Sequence, residues 1–203
     1  MNELNLKFIF LGDSSVGKTS IVEKYTKKKF SDSLQSTVGI DFKLSIMTFK
    51  GHKIRINISD TAGQERFRTI AKNYIHNSDG IFIVFDLSNK NSFESISYWL
   101  NEINKLKNLD ELKIIILGNK SDLTNIREIS KEEISEFIKT NNYKVIETSA
   151  KTGEGIKEAF EDLVDLILEN KTEDEIYNLY CPNYDKRLLL NNQNDENSNA
   201  QCC

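Results

Sequence analysis

The chain has 203 residues, of which 38% are hydrophobic and 29% are charged. This length and composition suffice for one globular domain with its own core. The formal net charge of -4 at pH 7 argues against a general nucleic-acid-binding protein. Neither a bilayer-spanning apolar run nor an N-terminal leader is recognisable, and three cysteines are too few for a disulfide framework. We therefore expect a cytosolic, monomeric protein body that binds no nucleic acid.

Apolar runs alternate with helical patterns along most of the chain. Strands are predicted at 4–11, 42–49, 53–59, 81–85 and 114–117, and helices at 18–27, 92–106, 131–139 and 156–168. The tight turn Lys50-Gly51-His52 makes the second and third strands an antiparallel hairpin. Ser130 and Glu133 have the spacing of a capping box before the third helix. This order predicts an α/β sheet with helices on both faces.

A glycine-rich segment between the first strand and the first helix, Gly12 to Thr19, matches the pattern G-x-x-x-x-G-K-[ST]. We name it the phosphate loop, because its glycines let successive backbone N–H groups surround a phosphate beside a helix N-terminus. Lys18 is placed to reach the terminal phosphates, and the Thr19 hydroxyl to bind Mg²⁺. The motif predicts a nucleotide site without specifying the base. The predicted nucleotide contacts here are Ser14, Ser15, Val16, Gly17, Lys18, Thr19 and Ser20.

Two later loops are predicted to bind the base. Asn119-Lys120-Ser121-Asp122 follows a buried strand, at the carboxyl end where α/β sheets bind ligands. The Asp122 carboxylate can accept two hydrogen bonds from guanine, whereas adenine would leave it desolvated and unpaired. Asn119 is predicted to contact the far edge of the base, and the stem of Lys120 to cover its face. The loop after the last strand supplies Ser149, Ala150 and Lys151, with the Ala150 N–H facing the guanine oxygen.

A third loop begins at Asp60, at the end of the second hairpin strand, and is predicted to bind a metal ion and a water. Asp60 is placed to hold Mg²⁺ through water, the Gly63 N–H to meet the γ-phosphate, and Gln64 to orient the attacking water. Thr37, between the first helix and the second strand, can supply a further hydroxyl. The expected metal ligands are therefore Thr19, Thr37 and Asp60, and the expected catalytic residue is Gln64.

With these motifs the chain resembles the Rab family of small GTPases in the Ras superfamily. The resemblance spans residues 7 to about 168 and includes, besides the phosphate loop, the stretches 36–42, 60–68, 119–122 and 148–151. It implies the P-loop GTPase fold, with a six-stranded sheet that is mostly parallel and has one antiparallel strand, and with helices on both faces. It implies a GTP-binding domain at 1–170, a flexible tail at 171–203, and a stacking contact of Phe30 with guanine.

Two positions depart from the pattern of the family. Ser59 stands where the family usually has a tryptophan, which with Phe42 and Tyr74 forms an apolar patch that partners contact. Leu34 stands where the family usually has a tyrosine that closes over the phosphates. We expect the Ser59 departure to change the choice of effector more than hydrolysis, and the Leu34 departure to weaken nucleotide retention.

The resemblance further implies a slow GTPase that acts as a nucleotide-dependent membrane switch in vesicle trafficking. Ser36, not an arginine, precedes Thr37, so a GTPase-activating protein is expected to accelerate hydrolysis. The other implied partners are an exchange factor, effectors and a prenyl-binding dissociation inhibitor. Cys202 and Cys203 are the implied lipidation sites. Lipidation would place the protein on the cytoplasmic face of an intracellular membrane, with a cytosolic pool.

Two other hypotheses remain open from the sequence. A P-loop ATPase or nucleotide kinase would share the phosphate loop, but the loop at 119–122 counts against it. A GTP-binding interaction module would keep the nucleotide while hydrolysis or cycling is impaired. Ser59 and Leu34 favour this module, whereas Gln64 and Thr37 indicate competent hydrolysis. A nucleotide competition assay tests the first hypothesis, and a single-turnover GTP assay tests the second.

Overall fold

The computed structural model describes residues 3–27, 37, 39–61, 74–106, 112–169, 171 and 176. The strands are β1 (Glu3–Leu11), β2 (Ile40–Phe49), β3 (His52–Thr61), β4 (Gly80–Asp86), β5 (Lys113–Asn119) and β6 (Lys144–Glu147). The helices are α1 (Lys18–Lys27), α2 (Lys90–Asn104), α3 (Lys131–Asn141) and α4 (Ile156–Leu168), with a short 3₁₀ turn at Thr124–Ile126. All the strands and helices predicted from the patterns above are confirmed, with their ends displaced by at most two residues.

The strands form one six-stranded sheet in the order β2-β3-β1-β4-β5-β6. The β2–β3 pair is antiparallel and the other neighbours are parallel, which confirms the predicted topology. The hairpin turn consists of Lys50 and Gly51, with φ angles of 47° and 83°, between the paired residues Phe49 and His52. Two positive φ values in a two-residue turn suit the right-handed twist of the flanking strands.

Helices cover both faces of the sheet, as predicted. On the face covered by α1 and α4, the Phe160 ring packs against Phe10 and Phe82 at centroid distances of 6.0 Å and 5.1 Å. On the face covered by α2 and α3, Ile96 and Ile103 pack into a second buried cluster. Each fully buried aliphatic or aromatic side chain contributes roughly 1.5–3 kcal/mol. The parallel strands are consequently fixed from both sides, which holds the loops at their ends in place.

The β2–β3 end of the sheet carries exposed apolar side chains on the α2–α3 face. Phe42, Leu44 and Ile46 alternate along β2 and are 58%, 50% and 50% exposed. We name these three residues the β2 patch. Ser59 pairs with Phe42 across the hairpin, and the Tyr74 ring lies 5.5 Å from the Phe42 ring. The predicted neighbourhood of Ser59, Phe42 and Tyr74 is therefore present in the structure.

Helix α3 begins with the predicted capping box. The Ser130 hydroxyl accepts a hydrogen bond from the Glu133 N–H at 3.1 Å, and the Glu133 carboxylate accepts one from the Ser130 N–H at 2.9 Å. These bonds satisfy two N–H groups that the helix itself cannot pair, a contribution of about 1 kcal/mol. The cap fixes where the loop after β5 ends and the helix begins.

Candidate nucleotide-binding site

The end of β3 and the loops that follow β1, β5 and β6 lie at the carboxyl-terminal edge of the sheet, because parallel strands end on the same side. Polar side chains are buried at this edge. Lys18, Asp60 and Asn119 are 5%, 1% and 1% exposed. Buried charged and amide groups are costly unless they are paired or serve a ligand. The partners of these three side chains therefore define the site.

The phosphate loop is held tightly against the sheet at its start. Gly12 has a φ of 138°, and a Cβ atom there would lie 2.2 Å from the carbonyl oxygen of Val84 on β4, so only glycine fits. The Val16 side chain is buried, whereas Ser14 and Ser15 are exposed at the tip of the loop. Helix α1 begins directly after the loop. Its N-terminus and the loop backbone therefore suit an anion such as a phosphate.

The Lys18 side chain folds back over the phosphate loop. Its Nζ donates hydrogen bonds to the carbonyl oxygens of Gly12 at 2.9 Å and Asp13 at 2.7 Å. Burial lowers the pKa of Lys18 to about 8, and the nearby Asp60 and Asp13 carboxylates act in the opposite direction. The side chain is therefore mostly protonated at neutral pH. A desolvated ammonium in this place can form strong charge-assisted hydrogen bonds to phosphate oxygens.

The three predicted metal ligands are brought together by the fold. The Thr19 hydroxyl donates to Asp60 Oδ2 at 2.6 Å and lies 2.7 Å from the Thr37 hydroxyl. Asp60 Oδ1 is buried and has no hydrogen-bond partner among the described residues. Burial raises the pKa of Asp60 to about 6, and the Thr19 hydrogen bond and the Lys18 charge oppose that shift. Two hydroxyls and one carboxylate fit Mg²⁺, which in nucleotide sites takes few protein ligands.

Asn119 connects three loops from the inside. Its Nδ2 donates to the Val16 carbonyl oxygen at 2.8 Å, which ties the base-binding region to the phosphate loop. Its Oδ1 accepts from the Ala150 N–H at 3.1 Å and, more weakly, from the Thr148 hydroxyl at 3.4 Å. In the structure, both the Asn119 side chain and the Ala150 N–H therefore form hydrogen bonds within the protein. Their predicted contacts with the base stay predictions.

The other base-loop side chains are also held by neighbours. Asp122 Oδ1 accepts a hydrogen bond from the Ser149 hydroxyl at 2.6 Å, so the two predicted base loops support each other. The Lys120 ammonium pairs with Asp86 Oδ2 at 2.6 Å, at the end of β4. Lys120 has a φ of 67°, an uncommon conformation for a lysine, which its neighbours in the fold must maintain. Lys151 is exposed, and its carbonyl oxygen accepts from Lys24 at 3.1 Å.

The structure describes most of the predicted site residues. The phosphate-loop residues, Thr19 and Ser20 in the first turn of α1, Thr37, Asp60, and both base loops lie at this one edge of the sheet. Whether they contact a nucleotide stays a prediction. The remaining predicted or singled-out residues lie outside the described residues: Phe30, Leu34, Ser36, Gly63, Gln64, Cys202 and Cys203.

Comparison with known proteins decides the family. A model of the Ras family matches residues 7–169. The chain is 36% identical to the Ras-related protein Rab-18 of Lymnaea stagnalis, over 97% of its own length and 94% of the relative. It is 40% identical to Rab-10 of Caenorhabditis elegans over 82% of each chain, and 39% identical to Rab-4 of Dictyostelium discoideum over 76% and 75%. The chain belongs to the Rab family of Ras-superfamily GTPases.

Family membership settles the reaction. This Rab GTPase binds GTP and GDP and hydrolyses GTP to GDP, and it acts with regulators and effectors. The alternative of a P-loop ATPase or nucleotide kinase is therefore wrong. The P-loop GTPase fold expected from the resemblance is confirmed by the sheet order and by the family match.

Several residues of the Rab GTPase site were not indicated by its sequence motifs. Asp86 holds Lys120, and Trp99 on α2 donates its indole N–H to Asp13 Oδ1 at 3.0 Å. Arg127 makes a bidentate pair with Glu147, at 2.7 Å for each bond, which joins the loop after β5 to the end of β6. The only sequence clue was position, since Asp86 and Glu147 are the last residues of their strands.

We expect Glu147→Gln to lower the free energy of unfolding by about 1 kcal/mol at pH 7, because it removes a bidentate, partly buried ion pair. Arg127 lowers the pKa of Glu147 below its ordinary value of 4.5. A lowered folded-state pKa means that the contribution is complete above the unfolded value and is lost as the pH falls through the folded one. Urea unfolding should therefore show that wild type has a higher free energy of unfolding than Glu147→Gln at pH 7. This difference should narrow below about pH 4.5.

The matched control is Glu136→Gln, at an exposed position of α3. It should change stability by less than about 0.5 kcal/mol at either pH. A gap between the wild-type protein and Glu147→Gln that stayed constant from pH 7 to pH 4 would contradict the assignment of the effect to the charge.

Proposed function

We propose that this Rab GTPase is a slow, Mg²⁺-dependent switch of vesicle trafficking whose GTP-bound form is recognised by effectors. The main support is the chain of contacts from Thr37 through Thr19 to Asp60. These residues come from three separate segments, and the first lies between α1 and β2. A ligand that binds both threonine hydroxyl oxygens and the Asp60 carboxylate would hold the three segments together. Loss of that ligand would release the segments.

The proposed binding mode divides the nucleotide between two parts of the site. The Lys18 ammonium and the phosphate-loop N–H groups bind the β- and γ-phosphates. Thr19, Thr37 and Asp60 would hold Mg²⁺, Asp60 through a water. The ion would supply positive charge to neutralise the phosphates. Asp122, held by Ser149, accepts hydrogen bonds from guanine, and the Lys120 stem covers the ring.

Hydrolysis in this proposal depends on positioning more than on covalent chemistry. Gln64 orients the attacking water, and the Gly63 N–H meets the γ-phosphate. Ser36 occupies the place before Thr37 where some relatives carry an arginine. We therefore propose that intrinsic hydrolysis is slow and that a GTPase-activating protein accelerates it, with an exchange factor reloading GTP.

Single-turnover hydrolysis of GTP by the full chain tests the switch. We expect a Mg²⁺-dependent rate far below the value of about 1 s⁻¹ found for slow ordinary enzymes. Gln64→Leu should slow it further, because the water loses its orienting group. The control Gln193→Leu makes the same change in the tail and should leave the rate as it is. An intrinsic rate near 1 s⁻¹ would contradict the proposal, and complete absence of hydrolysis would favour the GTP-binding interaction module.

We further propose that residues 1–170 form the GTP-binding domain and that 171–203 form a flexible tail whose Cys202 and Cys203 carry prenyl groups. In the described part of the chain, no helix is long and apolar enough to cross a bilayer. The tail has no polybasic cluster, and one lipid chain alone binds a membrane only reversibly. Two lipids would give stable attachment to an intracellular membrane, and a prenyl-binding dissociation inhibitor would maintain the cytosolic pool. Cys202→Ser should thus release the chain from membranes, whereas Cys181→Ser should not.

We propose that effectors contact the β2 patch together with Tyr74 and Ser59. The β2 patch is apolar and exposed, and its Phe42 pairs with Ser59, the residue directly before the proposed metal ligand Asp60. Large apolar residues exposed together on one strand are typical of interaction surfaces. A serine in place of the usual tryptophan makes the centre of this surface smaller and more polar.

Ser59→Trp is expected to change effector binding while leaving GTP affinity within about threefold of wild type. The side chain faces the β2 patch, across the hairpin from Phe42, whereas the adjacent Asp60 is the buried metal ligand. Titration with labelled GTP and pull-down on GTP-loaded protein measure the two properties. Ser135→Trp, exposed on α3, is the control for adding an indole to the surface. A large loss of GTP affinity in Ser59→Trp alone would contradict this assignment.

A further inference from the structure

A hydrogen bond joins helix α2 to the phosphate loop. Trp99 is 5% exposed, and its indole Nε1 donates to Asp13 Oδ1 at 3.0 Å. None of the nucleotide-binding motifs includes Trp99, which lies 86 residues after Asp13. A buried indole N–H is costly when it is unpaired, so the Asp13 carboxylate stabilises Trp99 in its buried position.

Helix α2 is a rigid support for this bond. Ile96, Leu100 and Ile103 fix it in the second core cluster. Its first turn is tied to the end of β4, since the Ser92 hydroxyl accepts from the Asp86 N–H at 2.9 Å. The helix therefore cannot move independently of the sheet edge that carries the site.

Asp13 uses two different groups for two different partners. Its side chain accepts from Trp99, while its main-chain carbonyl oxygen accepts from Lys18 Nζ at 2.7 Å. The preceding residue, Gly12, is fixed against β4, and Val16 is tied to Asn119. The loop is thus anchored at its start and its end by β4 and Asn119, and Trp99 anchors the part between Gly12 and the exposed tip.

We propose that Trp99 is a positioning residue for nucleotide binding. Through Asp13 it fixes the main-chain carbonyl that orients the Lys18 ammonium, and it holds the phosphate loop in the conformation that receives phosphates. The inference rests on the phosphate-binding role of Lys18 proposed above. Without this bond, the backbone of about one further residue must become ordered when the nucleotide binds. The conformational entropy lost in this ordering corresponds to roughly tenfold weaker binding.

The test compares variants that differ mainly in one hydrogen bond. Asp13→Leu keeps the approximate volume of the side chain but removes the acceptor, whereas Asp13→Asn keeps an acceptor oxygen. Trp99→Phe removes the donor and keeps an aromatic ring. We expect GDP to dissociate about tenfold faster from Asp13→Leu and Trp99→Phe, and no more than about threefold faster from Asp13→Asn. The double variant Asp13→Leu/Trp99→Phe should match the faster single variant, because both changes remove the same bond.

Two further readouts separate positioning from general destabilisation. Thermal unfolding at saturating GDP shows whether each variant is folded under the assay conditions, and Ile103→Val supplies a packing defect in α2 without loss of the bond. Trp99 is the only tryptophan of the chain, so its fluorescence emission reports the loop directly. Removal of GDP and Mg²⁺ should shift the emission of the wild-type protein, and in Asp13→Leu this nucleotide-dependent shift should be abolished.

The inference would be overturned by equal GDP dissociation rates in wild type, Asp13→Leu and Trp99→Phe. It would equally be overturned if Asp13→Asn dissociated as fast as Asp13→Leu, if the two changes were additive, or if Ile103→Val reproduced the effect of Trp99→Phe. Absence of Mg²⁺-dependent GDP binding in the wild-type chain would instead contradict the proposed function itself, so the two failures are distinguishable.

Discussion

Asp122→Ala is expected to lower the affinity for GDP by roughly 10²- to 10⁴-fold. The loss corresponds to two hydrogen bonds to a charged group, each of which contributes about 1.5–3 kcal/mol to binding. The carboxylate lies in the loop after β5, and the Ser149 hydroxyl donates to one of its oxygens at 2.6 Å. A preoriented carboxylate of this kind accepts from the ring N–H and the exocyclic amine of guanine. Competition of labelled GDP with unlabelled GDP measures the loss.

The controls for this prediction separate the carboxylate from its support. Ser149→Ala removes only the orienting hydroxyl and should weaken GDP binding about tenfold or less. Asp122→Asn keeps the shape but replaces one acceptor by a donor, which suits a base with a carbonyl in place of the exocyclic amine. We therefore expect Asp122→Asn to prefer xanthosine diphosphate over GDP. GDP affinity of Asp122→Ala close to wild type, or an unchanged guanine preference in Asp122→Asn, would contradict the assignment.

The parts of the site that could be predicted from sequence are those encoded locally. The phosphate loop is a contiguous motif between a strand and a helix, and Asp122 follows an apolar strand. Local patterns also gave the helices and strands. The ends moved where pairing or capping, which hydrophobicity does not encode, extends an element. β2 begins at Ile40 because it pairs there with Thr61, and α2 begins at Lys90 because Asn89 caps it.

The supporting contacts could not be predicted because they join distant parts of the chain. Trp99 has the spacing of a core residue on an amphipathic helix, and nothing in that pattern indicates Asp13 as its partner. The Lys120–Asp86 pair likewise depends on the neighbouring positions of β4 and β5 in the sheet. Asn119 was predicted to face the base, whereas in the structure its amide also connects the phosphate loop to the loop after β6.

This internal role of Asn119 leads to the second large expected effect. Asn119→Ala should lower the free energy of unfolding by roughly 2–6 kcal/mol, since it leaves the buried Ala150 N–H and the Val16 carbonyl oxygen without partners at about 1–3 kcal/mol each. It should also weaken GDP binding, because both loops that it joins belong to the site. Unfolding measured over a series of GDP concentrations separates the two effects, since the ligand contribution varies with concentration and the intrinsic one does not.

Asn119→Asp provides the sharpest control. It retains an acceptor for the Ala150 N–H, but it places an oxygen against the Val16 carbonyl oxygen, where Nδ2 donates at 2.8 Å. At pH 7 it should therefore be at least as unstable as Asn119→Ala, although it is closer in shape to asparagine. Asn141→Ala, at an exposed position of α3, should cost less than about 0.5 kcal/mol. If Asn119→Asp were as stable as wild type, the bond to the phosphate loop would contribute nothing, and the internal role of Asn119 would be confined to the loop after β6.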